Sequence, residues 1–365
     1  MRALFYLSDS AWSGCARFLL AAATELRARG VETTIACCAE TRLGAWAADG
    51  GIDVVEINGK ASTPGGAWDL RPILNERGIE VVMVTTQRDQ LLTSSAKLFG
   101  GRIPVLRRIP PFGRVDLTRR GKLALKMAQT GLVFTTEKEA KEARDPGWTI
   151  PSAVVPLGVD GASHDEAQPI ARAEIDAPPE GVLIACPYER SGRNRIATLF
   201  RTLSLVVPRH RDMHAVVFGP GSLDDELRLH AAALGVSSAI TFLGDVDAPL
   251  PVMRAANVVW AVADGDGGAF ACLDAMGLRL PVIAERNVLF QHYVADGITG
   301  LLLSPADPAT TASNVAAFIA DAEKCRSMGN AGRSRAQRDF PETAMVTALE
   351  QALAAAVGGS ARVAQ

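Results

Sequence analysis

The chain has 365 residues, which suits two domains better than one. Hydrophobic residues make up 48% of it and charged residues 21%, a balance typical of a folded globular protein that excludes a disordered one. The net charge of −2 excludes a general attraction to nucleic acid, so we expect no nucleic-acid partner.

The first half alternates short apolar runs with amphipathic helical patterns. A strand is predicted over residues 3–7, followed by a helix from Ala16 to Arg29. The next predicted strands are VETTIACC, IDVVEI, IEVVMVT, IPVLRR and GLVFTT. This alternation indicates βαβ units and a parallel sheet.

The N-terminal apolar run is not typical of a targeting segment. It is short and is soon interrupted by Asp9, unlike a signal peptide. No apolar run approaches the roughly 20 residues of a membrane span. We therefore expect a cytoplasmic protein.

The second half begins with a polar stretch over residues 158–181, rich in Ala, Pro, Asp and Glu, which is typical of a linker. The strands predicted after it are VLIAC, HAVVFG, AITFLG, NVVWAVA, PVIAE and GLLLS, with a helix from Ser222 to Gly235 among them. A further helix is predicted after Pro341. The sequence thus favours two doubly wound, Rossmann-like α/β domains, 1–157 and 158–340, that face a cleft, with a C-terminal helix over 341–357 packing back on the first.

Glycines lie at the turn after the first predicted strand of the first half, and at the turn after the second predicted strand of the second half. Ser13 and Gly14 lie at the first strand-to-helix turn, where backbone N–H groups can meet an anion or a sugar hydroxyl. In the alternative interpretation Ser13 only caps the helix and Gly14 only permits the turn. Gly219 and Gly221 have the same layout in the second half.

The loop YERSGRNR offers Arg190, Arg193 and Arg195 immediately before a predicted helix. Guanidinium groups beside helix-start amides can grip a diphosphate in a bidentate way. A solvated basic loop is the alternative.

The stretch DGDGGAFACLDAMG contains two aspartates eight residues apart, Asp266 and Asp274. Eight residues make a little over two helical turns, so both carboxylates fall on one side of the predicted helix. Such a pair can accept hydrogen bonds from the hydroxyls of a sugar and a ribose. Alternatively, Asp266 is an N-cap and Asp274 a partly exposed helical acid.

Basic residues are concentrated between residues 102 and 126, where Asp116 is the single acid. They are Arg102, Arg107, Arg108, Arg114, Arg119, Arg120, Lys122 and Lys126. Leucines interleave with them, so we expect this segment to lie on anionic lipid. A phosphorylated acceptor and plain solvent are the alternatives.

The six cysteines are scattered without a CxxC pair, and no histidine stands near a cysteine at zinc-ligand spacing. We expect reduced cysteines and no metal site.

The stretch DGGAFACLDAMG, together with VPLGVD, VVFGPG, ITFLGDV and VADGITGLLLSPADP, resembles the retaining glycosyltransferases of family 4, which have the GT-B fold. The resemblance covers most of residues 155–340. The first half is similar only loosely, through SGCAR and ELRARGVETTIACC.

The resemblance implies transfer of a sugar from a nucleotide diphosphate to a lipid-linked or polysaccharide acceptor, without a cofactor or a metal. It implies that Asp266 meets the donor sugar, that Asp274 meets the nucleotide ribose, and that Arg190 and Arg193 hold the diphosphate. The residues expected to bind the donor are Ser13, Gly14, Gly219, Gly221, Gly267, Gly268, Ala269, Phe270 and Asp274. An acceptor of this kind adds the expectation of peripheral contact with the inner face of the cell membrane.

This sequence departs from the family pattern in four respects, one of which is that the loop YERSGRNR does not place Arg and Lys at the family spacing. Aspartates replace both glutamates of the motif and are shorter by about 1.5 Å each. Leu157 replaces an asparagine, and the first domain has no histidine. Two alternatives follow: a transferase-like protein that binds a nucleotide sugar without turnover, and a nucleotide-sugar 2-epimerase.

Overall fold

The computed structural model describes residues 1–57, 64–97, 103–111, 113, 115–116, 118–127, 130–143, 150–189, 195–219, 224–304 and 307–363. The chain divides into two compact units. Unit 1 comprises Met1–Pro156 and Thr343–Gln365, and unit 2 comprises Leu157–Glu342.

Unit 1 is built on a parallel sheet with the strand order β3-β2-β1-β4-β5-β6-β7. Its strands are β1 (Arg2–Leu7), β2 (Glu32–Cys38), β3 (Asp53–Ile57), β4 (Val81–Val84), β5 (Val105–Arg108), β6 (Thr130–Phe134) and β7 (Ser152–Val154). The central strands are buried along their length because helices cover both faces of such a sheet.

The helices of unit 1 alternate with these strands, apart from the last one. They are α1 (Gly14–Ala28), α2 (Arg42–Asp49), α3 (Pro64–Glu76), α4 (Gln87–Lys97), α5 (Arg119–Met127), α6 (Glu137–Ala143) and α15 (Glu342–Val363). The apolar stripe of α15, which includes Met345, Leu349 and Leu353, is fully buried. The guanidinium of Arg29, just after α1, donates to Thr347 and pairs with Glu350 of α15.

Unit 2 repeats the design with the strand order β10-β9-β8-β11-β12-β13, again all parallel. Its strands are β8 (Val182–Pro187), β9 (Met213–Phe218), β10 (Ile240–Gly244), β11 (Val258–Ala261), β12 (Val282–Glu285) and β13 (Gly300–Leu303). Its helices are α7 (Gly161–Glu166), α8 (Ile196–Val206), α9 (Asp224–Ala233), α10 (Pro249–Arg254), α11 (Gly265–Gly277), α12 (Val288–Tyr293), α13 (Pro308–Ala320) and α14 (Ala322–Asp339). Trp260, Tyr188 and Phe200 are among the large side chains of its core.

The prediction of two doubly wound parallel sheets is confirmed. One strand was not predicted: β7 is three residues long and pairs with β6 at the edge of its sheet. The linker interpretation of residues 158–181 is wrong, because this stretch forms α7 and a 3₁₀ turn at Arg172–Ile175. Asp160 caps α7 by accepting hydrogen bonds from the amides of Ala162 and Ser163.

Candidate functional site

The candidate site of unit 2 lies where the order of its strands reverses. The chain runs outward from β8 through β9 to β10, then returns to pair β11 with β8 and continues outward to β13. In doubly wound sheets, ligands bind at the carboxyl ends of the strands at this switch point. The residues that follow β8 and β11 are therefore candidates for a ligand-binding site.

Helix α11 begins directly after β11, with Asp264 at its N-cap and Asp266 in its first turn. The N–H of Gly268 donates to the carbonyl of Asp264 at 3.4 Å. The backbone N–H groups that precede Gly268 in α11 therefore have no carbonyl acceptor within the helix. These amides and the helix dipole favour a negative group here. Asp266 is 3% exposed.

The glycines after Asp266 allow close packing at the start of α11. A side chain at Gly267 would collide with the carboxylate of Glu189, which follows β8, and one at Gly268 would collide with the carbonyl of Ala263. Gly219, after β9, has φ +157° and lies against the carbonyl of Tyr188. The absence of Cβ atoms thus brings the loops after β8, β9 and β11 together.

Arg195, directly before α8, pairs with two carboxylates at the ends of β11 and β12. Its guanidinium is 2.8 Å from Asp264 Oδ1 and 3.1 Å from Oε2 of Glu285, the last residue of β12. Thr198 in α8 donates to the other oxygen of Glu285. Arg195 therefore fixes the start of α8 to the start of α11.

Three residues predicted to bind the donor, Arg190, Arg193 and Gly221, lie outside the described residues. Glu189 and Arg195 flank the segment that contains both arginines. Each of them contacts the start of α11, at Gly267 and Asp264 respectively.

Asp274 lies two turns further along α11 and is 3% exposed. Its Oδ1 is 3.0 Å from Nε2 of His164 in α7. The alternative that Asp274 is a partly exposed acid is wrong, because the fold encloses it.

Ala269 and Phe270 were expected to contact the donor, but the structure buries both within α11. Their N–H groups lie beyond the first turn, where an α-helix bonds each N–H four residues back. Both side chains pack in the interior of unit 2, and their contact with the donor stays a prediction.

Helix α7 is fixed to α11 and α14 by Arg333. This buried guanidinium donates to the carbonyls of Gly277 and Gly161 and pairs with Asp165 at 2.6 Å. No local pattern indicates these contacts, since the partners are far apart along the chain. The sole local hint was Asp160, which is a typical N-cap residue.

Ser13 and Gly14 lie at the start of α1 in unit 1. The hydroxyl of Ser13 accepts from the amide of Ala16 at 3.4 Å, so Ser13 does cap the helix. Gly14 is buried as the first residue of α1.

A buried polar cluster that the sequence did not indicate lies at the switch point of the unit 1 sheet, between β1 and β4. Ser8 donates from its hydroxyl to Asp89 at 2.5 Å, and the thiol of Cys38 donates to the carbonyl of Ser8. Burial raises the pKa of the Asp89 carboxyl above its usual range.

Arg107 and Arg108 do not belong to a surface patch, which corrects the expectation. Both lie in β5 and are 7% and 0% exposed. Arg107 donates to Gln90 at 3.0 Å, and Arg108 stacks over the ring of Phe18 at 4.0 Å. Residues of a central strand point into the layers between sheet and helices, so these side chains are enclosed.

The remaining basic residues of the segment behave differently. Arg119, Arg120 and Lys126 are exposed on α5, Lys122 is half-buried, and Leu123 stands among them with 57% of its surface exposed. Arg102 and Arg114 lie outside the described residues. None of the described helices has the length and the apolar character needed to cross a membrane.

The chain is similar in sequence to glycosyltransferases. Residues 171–335 match the family of glycosyl transferases group 1. The chain is 25% identical over 226 residues to the lipopolysaccharide core biosynthesis glycosyltransferase LpsE of Rhizobium meliloti (strain 1021), covering 61% of this chain and 64% of LpsE. It is 30% identical over 232 residues to the D-inositol 3-phosphate glycosyltransferase of Salinispora tropica, covering 57% of this chain and 47% of that protein. The alignments thus span less than two thirds of either relative.

Among solved structures, the fold is similar to that of Anabaena HepE, crystallised in complex with UDP-glucose. The TM-score is 0.78 at 16% sequence identity, over 97% of this chain and 100% of HepE. The matched residues 171–335 lie entirely within unit 2 and include α11 and the strand ends around it. Unit 2 therefore contains a region, residues 171–335, that matches the glycosyl transferases group 1 family, in a chain that has the GT-B fold.

Proposed function

We propose that this protein is a retaining glycosyltransferase that moves a sugar from a nucleotide diphosphate to a lipid-linked or saccharide acceptor. The observation that carries the proposal is the start of α11. Its amides, Asp266 and Gly267 all lie at the switch point of the unit 2 sheet. The family match and the names of the relatives support the same reaction class.

In this proposal the start of α11 receives the donor's diphosphate. Negative charge grows on the leaving nucleotide in the transition state, and helix-start amides with guanidinium groups stabilise such charge. Arg190 and Arg193 supply the guanidinium groups; their segment is flanked by Glu189 and Arg195, which contact α11. The reaction then needs neither a metal nor a cofactor, so activity should survive EDTA.

The two aspartates bind hydroxyl groups of the donor. Asp266, in the first turn of α11, accepts from the sugar, and Asp274 accepts from the ribose. Ser13, Gly14, Gly219 and Gly221 approach the donor through their backbone. Because HepE was crystallised with UDP-glucose, UDP is the first nucleotide to test.

The acceptor is a saccharide carried on lipid, as the name of LpsE suggests. We place the reaction at the cytoplasmic face of the cell membrane. The exposed basic side chains of α5, Arg119, Arg120 and Lys126, then attract the anionic surface on which such an acceptor resides.

The test is incubation of the full chain with UDP-, GDP- and ADP-sugars, with and without lipid-linked saccharides, measuring released nucleotide and the anomeric configuration of the product. Nucleotide release that stops in Asp266→Asn, together with a retained configuration, is the expected result. Inversion of configuration would contradict the retaining mechanism.

A second candidate is binding without turnover, which the replacement of both glutamates of the family motif by Asp266 and Asp274 favours. Calorimetry with the same nucleotide sugars separates the two. Tight binding without any released nucleotide or 2-epimer supports the second candidate. Release of the 2-epimer would instead identify an epimerase.

A further inference from the structure

The imidazole of His164 lies between two hydrogen-bond acceptors inside unit 2. The ring is 1% exposed. Its Nδ1 is 2.5 Å from the carbonyl oxygen of Asp160, and its Nε2 is 3.0 Å from Oδ1 of Asp274. The two contacts tie the start of α7 to the second half of α11.

These contacts determine where the protons are. A carbonyl oxygen only accepts, so Nδ1 must carry a proton. If Nε2 and the carboxylate both lacked a proton, two lone pairs would face each other without water, at a high cost. One proton is therefore shared between Nε2 and Oδ1 of Asp274. With that proton on Nε2, His164 is an imidazolium that donates to the Asp274 carboxylate.

The ring has no room to move away from this position. A Cβ added to Gly277, at the end of α11, would lie 2.5 Å from the ring, so the imidazole packs directly on the helix backbone. Arg333 holds the same region through the carbonyls of Gly161 and Gly277. The imidazole of His164 is thus held at both ring nitrogens and packed against the backbone of α11.

We propose that His164 is a positioning residue of the donor site: its Nε2–H holds the Asp274 carboxylate in the one orientation in which it accepts from the ribose of a nucleoside diphosphate. The proposal rests on the proposed function, because that function makes Asp274 the residue that binds ribose.

The binding test compares two substitutions with opposite effects on this hydrogen bond. His164→Phe keeps the ring volume but removes both donors, whereas His164→Gln keeps an N–H directed at Asp274. For UDP, measured by calorimetry on the full chain, we expect at least a tenfold loss of affinity in His164→Phe and a loss below about threefold in His164→Gln. In an Asp274→Asn background, the further change His164→Phe should alter affinity less than about twofold. Equal affinity in wild type and His164→Phe, or an equal loss on both backgrounds, would overturn the proposal.

A second measurement does not depend on donor binding. In ¹⁵N-histidine NMR at pH 7.5, His164, assigned by its absence from the His164→Gln spectrum, should show both ring nitrogens protonated. Asp274→Asn should leave one protonated nitrogen. An unprotonated Nε2 in the wild type would overturn the proposal even if UDP binds. If both nitrogens are protonated but no nucleotide binds, the proposed function fails together with the positioning role, while the ion pair stands.

Discussion

At the scale of single residues, Asp266 and Asp274 have more enclosed surroundings than their spacing indicated. Each is 3% exposed, Asp266 in the first turn of α11 and Asp274 beside His164. An enclosed side chain cannot be lengthened freely, since native interiors are close-packed. The short carboxylates therefore fit the space that this backbone leaves.

Lengthening both side chains should lower activity. In Asp266→Glu with Asp274→Glu, one added methylene at each site crowds α11, and overpacking of this kind costs about 1–3 kcal/mol. We expect a slower release of nucleotide from the donor and a lower Tm than in the wild type. A severalfold gain in transfer would show instead that the natural protein is a degenerate enzyme.

Asp89 should make the stability of unit 1 depend on pH. Burial raises its pKa in the folded state, so the folded chain keeps the proton to a higher pH than the unfolded chain, whose value is about 3.9. This contribution to the free energy of unfolding falls as pH rises from the pKa of Asp89 in the unfolded chain to its higher pKa in the folded chain, and then stays low. The Tm of Asp89→Asn minus that of the wild type should therefore increase from pH 4 to pH 8. Exposed Asp49→Asn is the control, and a difference that shrinks with pH would contradict the assignment.

At the scale of elements, the end of α11 is held more tightly than a helix terminus usually is. Gly277 lies under the ring of His164, and its carbonyl accepts from Arg333. The exposed glycines of α15, Gly358 and Gly359, have no atom within 4 Å of an added Cβ. The same substitution should therefore have opposite effects in these two helices.

Gly277→Ala should destabilise the protein by about 1–3 kcal/mol, because the new methyl group collides with a ring held at both nitrogens. Gly358→Ala should stabilise it by up to about 1 kcal/mol, since alanine is the better helix former. Thermal unfolding of both variants checks this. A Tm for Gly277→Ala at or above that of the wild type would show that the ring gives way.

Helix α5 is the element most suited to a membrane surface. Changing Arg119, Arg120, Lys122 and Lys126 to glutamine removes four charges, each worth about 1 kcal/mol near anionic lipid. We expect the wild type to sediment with anionic but not zwitterionic liposomes, and the variant to sediment with neither. Changing Arg201, Arg209, Arg211 and Lys324 in unit 2 removes the same charge and should leave binding intact. Equal loss in both variants would indicate a net-charge effect without a docking surface.

At the scale of the whole molecule, unit 2 is continuous in sequence whereas unit 1 needs both ends of the chain. Met345, Leu349 and Leu353 of α15 are fully buried, and burial of each such side chain is worth about 1.5–3 kcal/mol. Unit 1 without α15 would expose their partners. The two units should therefore respond differently to truncation.

The isolated segment 157–342 should fold, because it has its own sheet and core, and on the proposed function it should bind UDP, because α11 lies within it. Residues 1–156 alone should unfold at a lower temperature than 1–156 joined through a flexible linker to 343–365. Circular dichroism melting curves and UDP calorimetry test both expectations. An unfolded 157–342 segment would contradict the independence of unit 2.

The sequence by itself determined the elements and their class. Alternating apolar runs and amphipathic stretches are local patterns, and they were enough to predict two parallel sheets and a helix that ends at Gly277. They placed Asp266 at or just before the start of that helix, whereas α11 begins at Gly265. They did not reveal β7, whose three residues carry no periodic signal. They also led to the linker interpretation of residues 158–181, because α7 is held by polar contacts and shows no apolar stripe.

Only the tertiary structure decided which polar groups meet. Nothing within IPVLRR distinguishes buried arginines from exposed ones, since the layers that cover Arg107 and Arg108 come from α4 and α1. Asp274 meets His164 across 110 residues, and Arg195 meets Glu285 across 90. Such pairs arise where separate loops and helices converge on one sheet, so a local pattern identifies the candidates while the fold selects their partners.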